Sequence, residues 1–175
     1  MSEKLPTKEE ALRLLREAGC QENVIKHCEA VTQLALEIAE KCIQKGFKVN
    51  IKLVETGSLL HDIGRSKTHS VHHAVVGAEI AEKLGLPEPI VSIIKRHVGG
   101  GISPEEAENL GWPKDVYMPQ TLEEKIITYA DKLIEGDQIV SIEETIEKFR
   151  KNGLPPSAIE RIKKLHSEIT AIIGD

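Results

Sequence analysis

Leu59-Leu60-His61-Asp62-Ile63-Gly64-Arg65 is the stretch around which the chain is organised: a histidine and an aspartate side by side at the end of an apolar helical run, then a glycine and a base. Adjacent side chains on a helix point about 100° apart, so His61 and Asp62 can both reach one small object but cannot grip it alone. Neutral imidazole and carboxylate together suit a first-row divalent metal such as iron, manganese or zinc. An isolated His-Asp pair reads more simply as a helix end, with Asp62 solvated and His61 packed. Further histidines and an aspartate recur where a bundle can gather them, and that recurrence favours the metal.

Thr68-His69-Ser70-Val71-His72-His73 is the densest histidine cluster. His73 shares a helical face with Val76, Gly77, Ile80 and Leu84, which makes it a candidate ligand at a helix start. His69 and His72 fall in or near the preceding loop and are candidate substrate contacts. His97 ends the stripe Ile90, Ile93, Ile94, again turned inward. Arg96 beside it serves either an anionic ligand or water. Asp131 sits in the apolar run from Ile126 to Ile134, where a carboxylate buried alone costs roughly several kcal/mol. It needs a metal, or a partner such as Lys132, and the inward histidines favour the metal. His27 lies at the margin of an apolar stripe and, taken alone, reads as a hydrogen-bonded boundary residue. Arg65 and Lys67 follow the His-Asp pair in a loop suited to phosphate contact. His166, among lysines and a glutamate, reads as a surface histidine.

The elements that must position these groups are helical. A capping box at Thr7–Glu10 starts a first helix that stops at Gly19. A long second helix runs from an Asn23 cap to Gly46, with Val24, Cys28, Val31, Ala35, Ile38 and Cys42 as its core stripe. Asn50 caps a third helix, which ends in His61-Asp62 with Gly64 releasing the chain. A fourth helix begins near His73 and a fifth near Glu88-Pro89. Gly99-Gly100-Gly101 lacks the Lys-Ser/Thr of a phosphate loop and reads as a hinge. The segment to about Pro119, with Trp112, is a candidate cap over a pocket. A sixth helix starts at the capping box Thr121–Glu124, and two more run from Ser141 to about Asn152 and from Pro156 to about Ile173. No strand-like alternation competes. The expectation is an all-α, single-domain bundle of seven or eight helices over 1–175, with its motif-bearing core at about 23–137 and helices 7–18 and 141–173 packed on it.

The 175 residues, 40% hydrophobic, suit one domain, and the absence of any membrane-span or signal pattern points to a cytoplasmic protein. Cys20, Cys28 and Cys42 lack CxxC spacing and read as reduced packing residues. A net charge of -5, with one Trp, two Tyr and two Phe, argues against extended nucleic-acid partners and a base-stacking platform. Small phosphates stay open as ligands.

His27, His61-Asp62, His73, His97 and Asp131 fall on successive helices, and this ordered set, with Ala130-Asp131-Lys132-Leu133, resembles the HD-domain metal-dependent phosphohydrolases. Within them it is similar to the subgroup whose motif continues into Ile63-Gly64. The resemblance spans about 23–137. It implies that His27, His61, Asp62 and Asp131 hold one metal. Two-metal members add two histidines, at positions similar to His73 and His97, with Asp62 as the bridge. The cyclic-dinucleotide branch carries a doubled histidine and a Gly-Tyr-Pro motif; here His97 is followed by Val98 and glycines instead.

Four imidazoles and two carboxylates contribute two negative charges, so two divalent ions would leave the site with two positive charges, matched to a phosphate ester. A metal can lower the pKa of bound water to about 7, making hydroxide available at neutral pH. The expected reaction is metal-dependent hydrolysis of a phosphoester or phosphoanhydride in a nucleotide-like small molecule. Asp62 and Arg65 would be the catalytic groups, and Arg65, Lys67, His69, His72 and Arg96 the substrate contacts. One or two ions of Fe, Mn, Zn, Co or Ni satisfy the ligand set. Homo-oligomerisation is left open and no membrane partner is expected. The alternatives are a di-iron oxygenase of the same superfamily and a non-catalytic nucleotide-binding regulatory module.

Overall fold

Thr7, Ser103 and Thr121 each accept the amide of the glutamate three residues on, while that glutamate accepts the cap residue's own amide, so three reciprocal capping boxes start three helices. They open α1 (Lys8–Ala18), α6 (Pro104–Asn109) and α7 (Leu122–Lys132) in the computed structural model, which describes residues 4–174. Asn50 caps α3 (Ile51–Leu60) through the amide of Leu53, as its sequence context predicts. The long helix α2 (Glu22–Gln44) begins one residue before Asn23. Its first turn is held by the backbone carbonyl of Gln21 rather than by a side-chain cap. Helices α4 (His73–Lys83), α5 (Glu88–Lys95), α8 (Ile142–Lys151) and α9 (Pro156–Ile173) complete nine α-helices among the described residues, against seven or eight expected.

Helices α2, α3, α5 and α7 share one apolar core that includes Val31, Ala35, Val54, Leu59, Ile93, Ile94, Ile126 and Ile127. α1 packs on α3, and α9 on α7 and α2. Among the described residues no helix is long and apolar enough to cross a membrane. Cys20, Cys28 and Cys42 are free and buried, as packing residues should be.

Four local expectations change. A two-stranded antiparallel hairpin, β1 (Ile134–Glu135) and β2 (Gln138–Ile139), follows α7. The helix ends at Lys132 inside the apolar run 126–134, and Gly136, at a left-handed φ of 63°, turns one strand into the next. Gly64 does not release the chain into a loop: Ile63–Ser66 is a short 3-10 helix. A Cβ on Gly64 would collide with the backbone carbonyl of His73, so the glycine lets α4 dock directly against the His-Asp turn and brings His73 to it. The triple glycine is no hinge either. A Cβ on Gly100 would meet the Arg161 carbonyl carbon and the Ile162 nitrogen at 2.8 Å, so the turn is pressed against α9. Finally, Trp112 and Tyr117 do not cap a pocket. They form a second small core with Ala74 and Ala107.

Candidate metal centre

α2 carries His27 in its second turn, His61 caps α3, and Asp62 follows in the turn before the 3-10 helix. His73 opens α4, His97 lies two residues beyond α5, and Asp131 ends α7 but for one residue. Their inner atoms converge. Asp131 Oδ1 lies 2.9 Å from His27 Nε2 and 3.3 Å from His61 Nε2, while Asp62 Oδ2 is 3.5 Å from both. The other carboxylate oxygen, Asp62 Oδ1, faces His73 Nε2 at 3.4 Å and His97 Nε2 at 3.2 Å. Two ligand groups result, His27-His61-Asp62-Asp131 and Asp62-His73-His97, with Asp62 common to both.

Hydrogen bonding fixes which ring nitrogens face inward. The Nδ1 atoms of His61, His73 and His97 donate to the carbonyls of Ser58, Ser70 and Ile94 at 2.6, 2.7 and 2.7 Å, each three residues back. His27 Nδ1 donates to the Gly136 carbonyl at 2.6 Å. A carbonyl only accepts, so each Nδ1 carries a proton and each ring, when neutral, presents an Nε2 lone pair to the centre. His73 and His97 then oppose lone pairs across 3.0 Å, which calls for a cation between them. Asp62 Oδ1 is buried without a hydrogen-bond donor. An orphaned carboxylate oxygen among inward imidazole nitrogens is a donor set that could hold a divalent metal, and the residues fit such a group.

The electrostatics agree. Burial works to raise the carboxyls of Asp62 and Asp131, yet His61 beside Asp62 and Lys132 beside Asp131 lead the groups that hold both well below the usual carboxylate range. Burial would lower His61, but Asp62 against it holds the ring well above the ordinary imidazole value. His97 goes the other way: burial pushes it down to about 4.

That depression has a sign. Unfolded His97 binds its proton near pH 6.5 and the folded ring only near 4, so its stabilising contribution is present above about 6.5 and is lost as pH falls toward 4. Between those values His61 is protonated in both states and drops out. The unfolding free energy of chelator-stripped protein should therefore fall with acidification across this window, by up to about 1.4 kcal/mol per pH unit. Denaturant titrations at several pH values check this, and His97→Gln should flatten the slope.

A cavity of about 590 Å³ opens over the centre. Arg65 and His69 lie on its wall, and Arg65 Nε is 3.2 Å from Asp62 Oδ2. Lys67 is exposed and off the wall, because the 3-10 turn carries it outward. His72 is also off the wall, its Nδ1 accepting the Trp112 indole N–H at 2.8 Å. Arg96 is committed elsewhere: its guanidinium meets both Glu124 carboxylate oxygens at 3.1 Å and the Val116 carbonyl at 3.2 Å. These three positions, expected as substrate contacts, therefore lie off the cavity wall, in solvent or in structural contacts. His166 is half-buried rather than at the surface and bonds Tyr129 Oη at 2.6 Å. Sequence reasoning missed Lys132 as a cavity residue, although an apolar context and an adjacent aspartate marked it. Lys132 Nζ sits 2.6 Å from Asp131 Oδ2 and 3.0 Å from the His97 carbonyl. It also missed the hairpin and Phe149 as parts of the cavity lining.

Comparison with known proteins adds context. Residues 24–136 match the family model described as HD domain. An uncharacterized protein of Methanocaldococcus jannaschii is 48% identical over 94% of this chain and 98% of its own. The tRNA (cytidine(56)-2'-O)-methyltransferase of Thermoplasma volcanium is 41% identical over 97% of this chain, which spans 48% of that protein. Ribonuclease Y of Acidothermus cellulolyticus is 31% identical over 78% of this chain, 28% of its own length. Among solved structures, the HD domain of the Listeria monocytogenes phosphodiesterase PgpH in complex with cyclic-di-AMP matches with a TM-score of 0.56 at 20% identity, covering 94% of this chain and 97% of that one.

Proposed function

The chain belongs to the HD domain family, and from that premise we propose that it is a metal-dependent phosphohydrolase cleaving a phosphoester or phosphoanhydride bond of a nucleotide-like small molecule. The observation that carries the reading is the shared carboxylate: Asp62 turns one oxygen to each of two histidine groups. His27, His61, Asp62 and Asp131 would hold one ion, and Asp62, His73 and His97 a second, of Fe, Mn, Zn, Co or Ni. When bound, such ions supply Lewis acidity toward phosphoryl oxygens and a source of hydroxide at neutral pH.

The chain's own groups do the rest. Arg65 stands beside Asp62 on the cavity wall, with its guanidinium placed to bind a phosphate oxygen, and its Nη1 donates to the His69 carbonyl at 3.2 Å, which steadies that pose. Lys132 adds a buried cation to the same cavity lining. The cavity volume falls in the range of small-molecule sites. Val24, Val140 and Phe149 give its lining apolar surface suited to the flat side of a base.

A second reading, cleavage at an RNA phosphodiester, draws support from the ribonuclease Y relatives and from the tRNA-methyltransferase relatives, of which this chain matches about half. One experiment serves both. Protein reconstituted with Mn, Co or Fe is offered nucleotides, generic phosphodiesters and short oligoribonucleotides, and released phosphate or cleaved product is followed beside a His61→Ala control. Turnover confined to the wild type supports hydrolysis, and the preferred substrate chooses between the two readings. Equal background in both proteins, with oxygen uptake by the iron form, would support the oxygenase alternative instead.

A further inference from the structure

Three of the four ligand histidines fix themselves locally. His61, His73 and His97 each donate Nδ1–H to a carbonyl three residues back, at a turn or helix end. His27 has no such carbonyl, since it sits within the 23-residue helix α2, where backbone carbonyls serve the next turn. Its acceptor is Gly136, 109 residues away at the tip of the β1–β2 hairpin. His27 is also the most exposed of the four rings, at 18% against 0, 6 and 2%.

We propose that the β1–β2 hairpin, through the Gly136 carbonyl, is the positioning element for His27 and thereby sets the affinity of the His27-His61-Asp62-Asp131 ion independently of the Asp62-His73-His97 ion. The inference rests on the metal reading above and assigns a role to a segment that reading does not use. Nothing in a two-residue-per-strand ladder is stable by itself. This one is anchored by buried Ile134, by the Val140 amide donating to the Leu133 carbonyl at 2.8 Å, and by the His27 bond. The Glu135–Lys148 pair at 3.2 Å is exposed on both sides and adds little. Glu135, Gly136 and Asp137 also line the cavity, so an occupant touching the hairpin tip touches the support of His27.

Gly136 allows a clean test. A Cβ there meets no atom within 4 Å, so a substitution acts first on the φ 63° conformation. Asparagine tolerates that conformation and a β-branched residue does not. Chelator-stripped wild type, Gly136→Asn, Gly136→Val and His27→Gln are titrated with Mn²⁺, following free ion by electron paramagnetic resonance, with helical circular dichroism as the folding control. Gly136→Val should weaken one class of site by about 10- to 100-fold, the usual cost of losing an outer partner of a ligand. Gly136→Asn should match wild type. His27→Gln should weaken the same class, and adding Gly136→Val to it should change nothing further. Unaltered binding in Gly136→Val, equal weakening of both classes, or additivity with His27→Gln overturns the proposal while leaving the metal reading intact. A wild type that takes up no Mn²⁺ overturns the metal reading and the proposal together.

Discussion

Asp62→Asn is expected to remove metal binding and turnover together while leaving the fold in place. Asp62 is 2% exposed and turns Oδ2 to His27 and His61 and Oδ1 to His73 and His97. Asparagine keeps the shape but lacks the charge, and its amide N–H₂ confronts imidazole lone pairs, to which it can donate. That arrangement satisfies the metal-free protein and opposes the metal-bound one. Losing an outer partner of a metal ligand already costs 10- to 100-fold, so losing the shared carboxylate should weaken binding by more than about 100-fold. Calorimetric titration with Mn²⁺, beside a melting curve of the stripped protein, separates the two effects. A variant that binds metal as wild type does would remove Asp62 from the centre.

The second large effect belongs to Lys132→Met. The ammonium group is buried against Asp131 Oδ2 and the His97 carbonyl, spanning ligands of both groups. Removing one partner of a buried ion pair leaves the other uncompensated and costs about 3–5 kcal/mol. Methionine fills the volume of the stem, so packing loss adds little. Asp131 Oδ1 still faces His27 and His61, so a bound ion should return part of that loss by neutralising the carboxylate. Denaturant unfolding with and without Mn²⁺ should thus show a large destabilisation of the stripped protein and a smaller one of the loaded protein. An equal loss in both states would mean that Lys132 acts through packing rather than through Asp131.

Four helix starts were legible because they begin with their own local chemistry: Thr7, Asn50, Thr121 and Ser141 act within three residues of themselves. All six expected ligands converge for a related reason. His61 and His97 sit at helix ends on apolar stripes, and periodicity alone turns them inward. His27 was the hardest to place, because its bonding partner lies 109 residues away in a hairpin that no alternation announces. Arg96 and His72 fall off the cavity wall in a way the sequence does not show, because their partners, Glu124 and Trp112, come from segments distant in sequence. A cation next to a ligand looks available until its counter-ion is known. The glycines misled for a similar reason. Gly64 and Gly100 permit close approach of other backbone, which sequence shows only as flexibility.

Elemental analysis of the purified protein after reconstitution with Mn²⁺ or Fe²⁺ and desalting bears most directly on the convergence of these six side chains. At least one ion per chain, removed by chelator and missing from Asp62→Asn, is the predicted result. Metal at background in the wild type, indistinguishable from that variant, would contradict it.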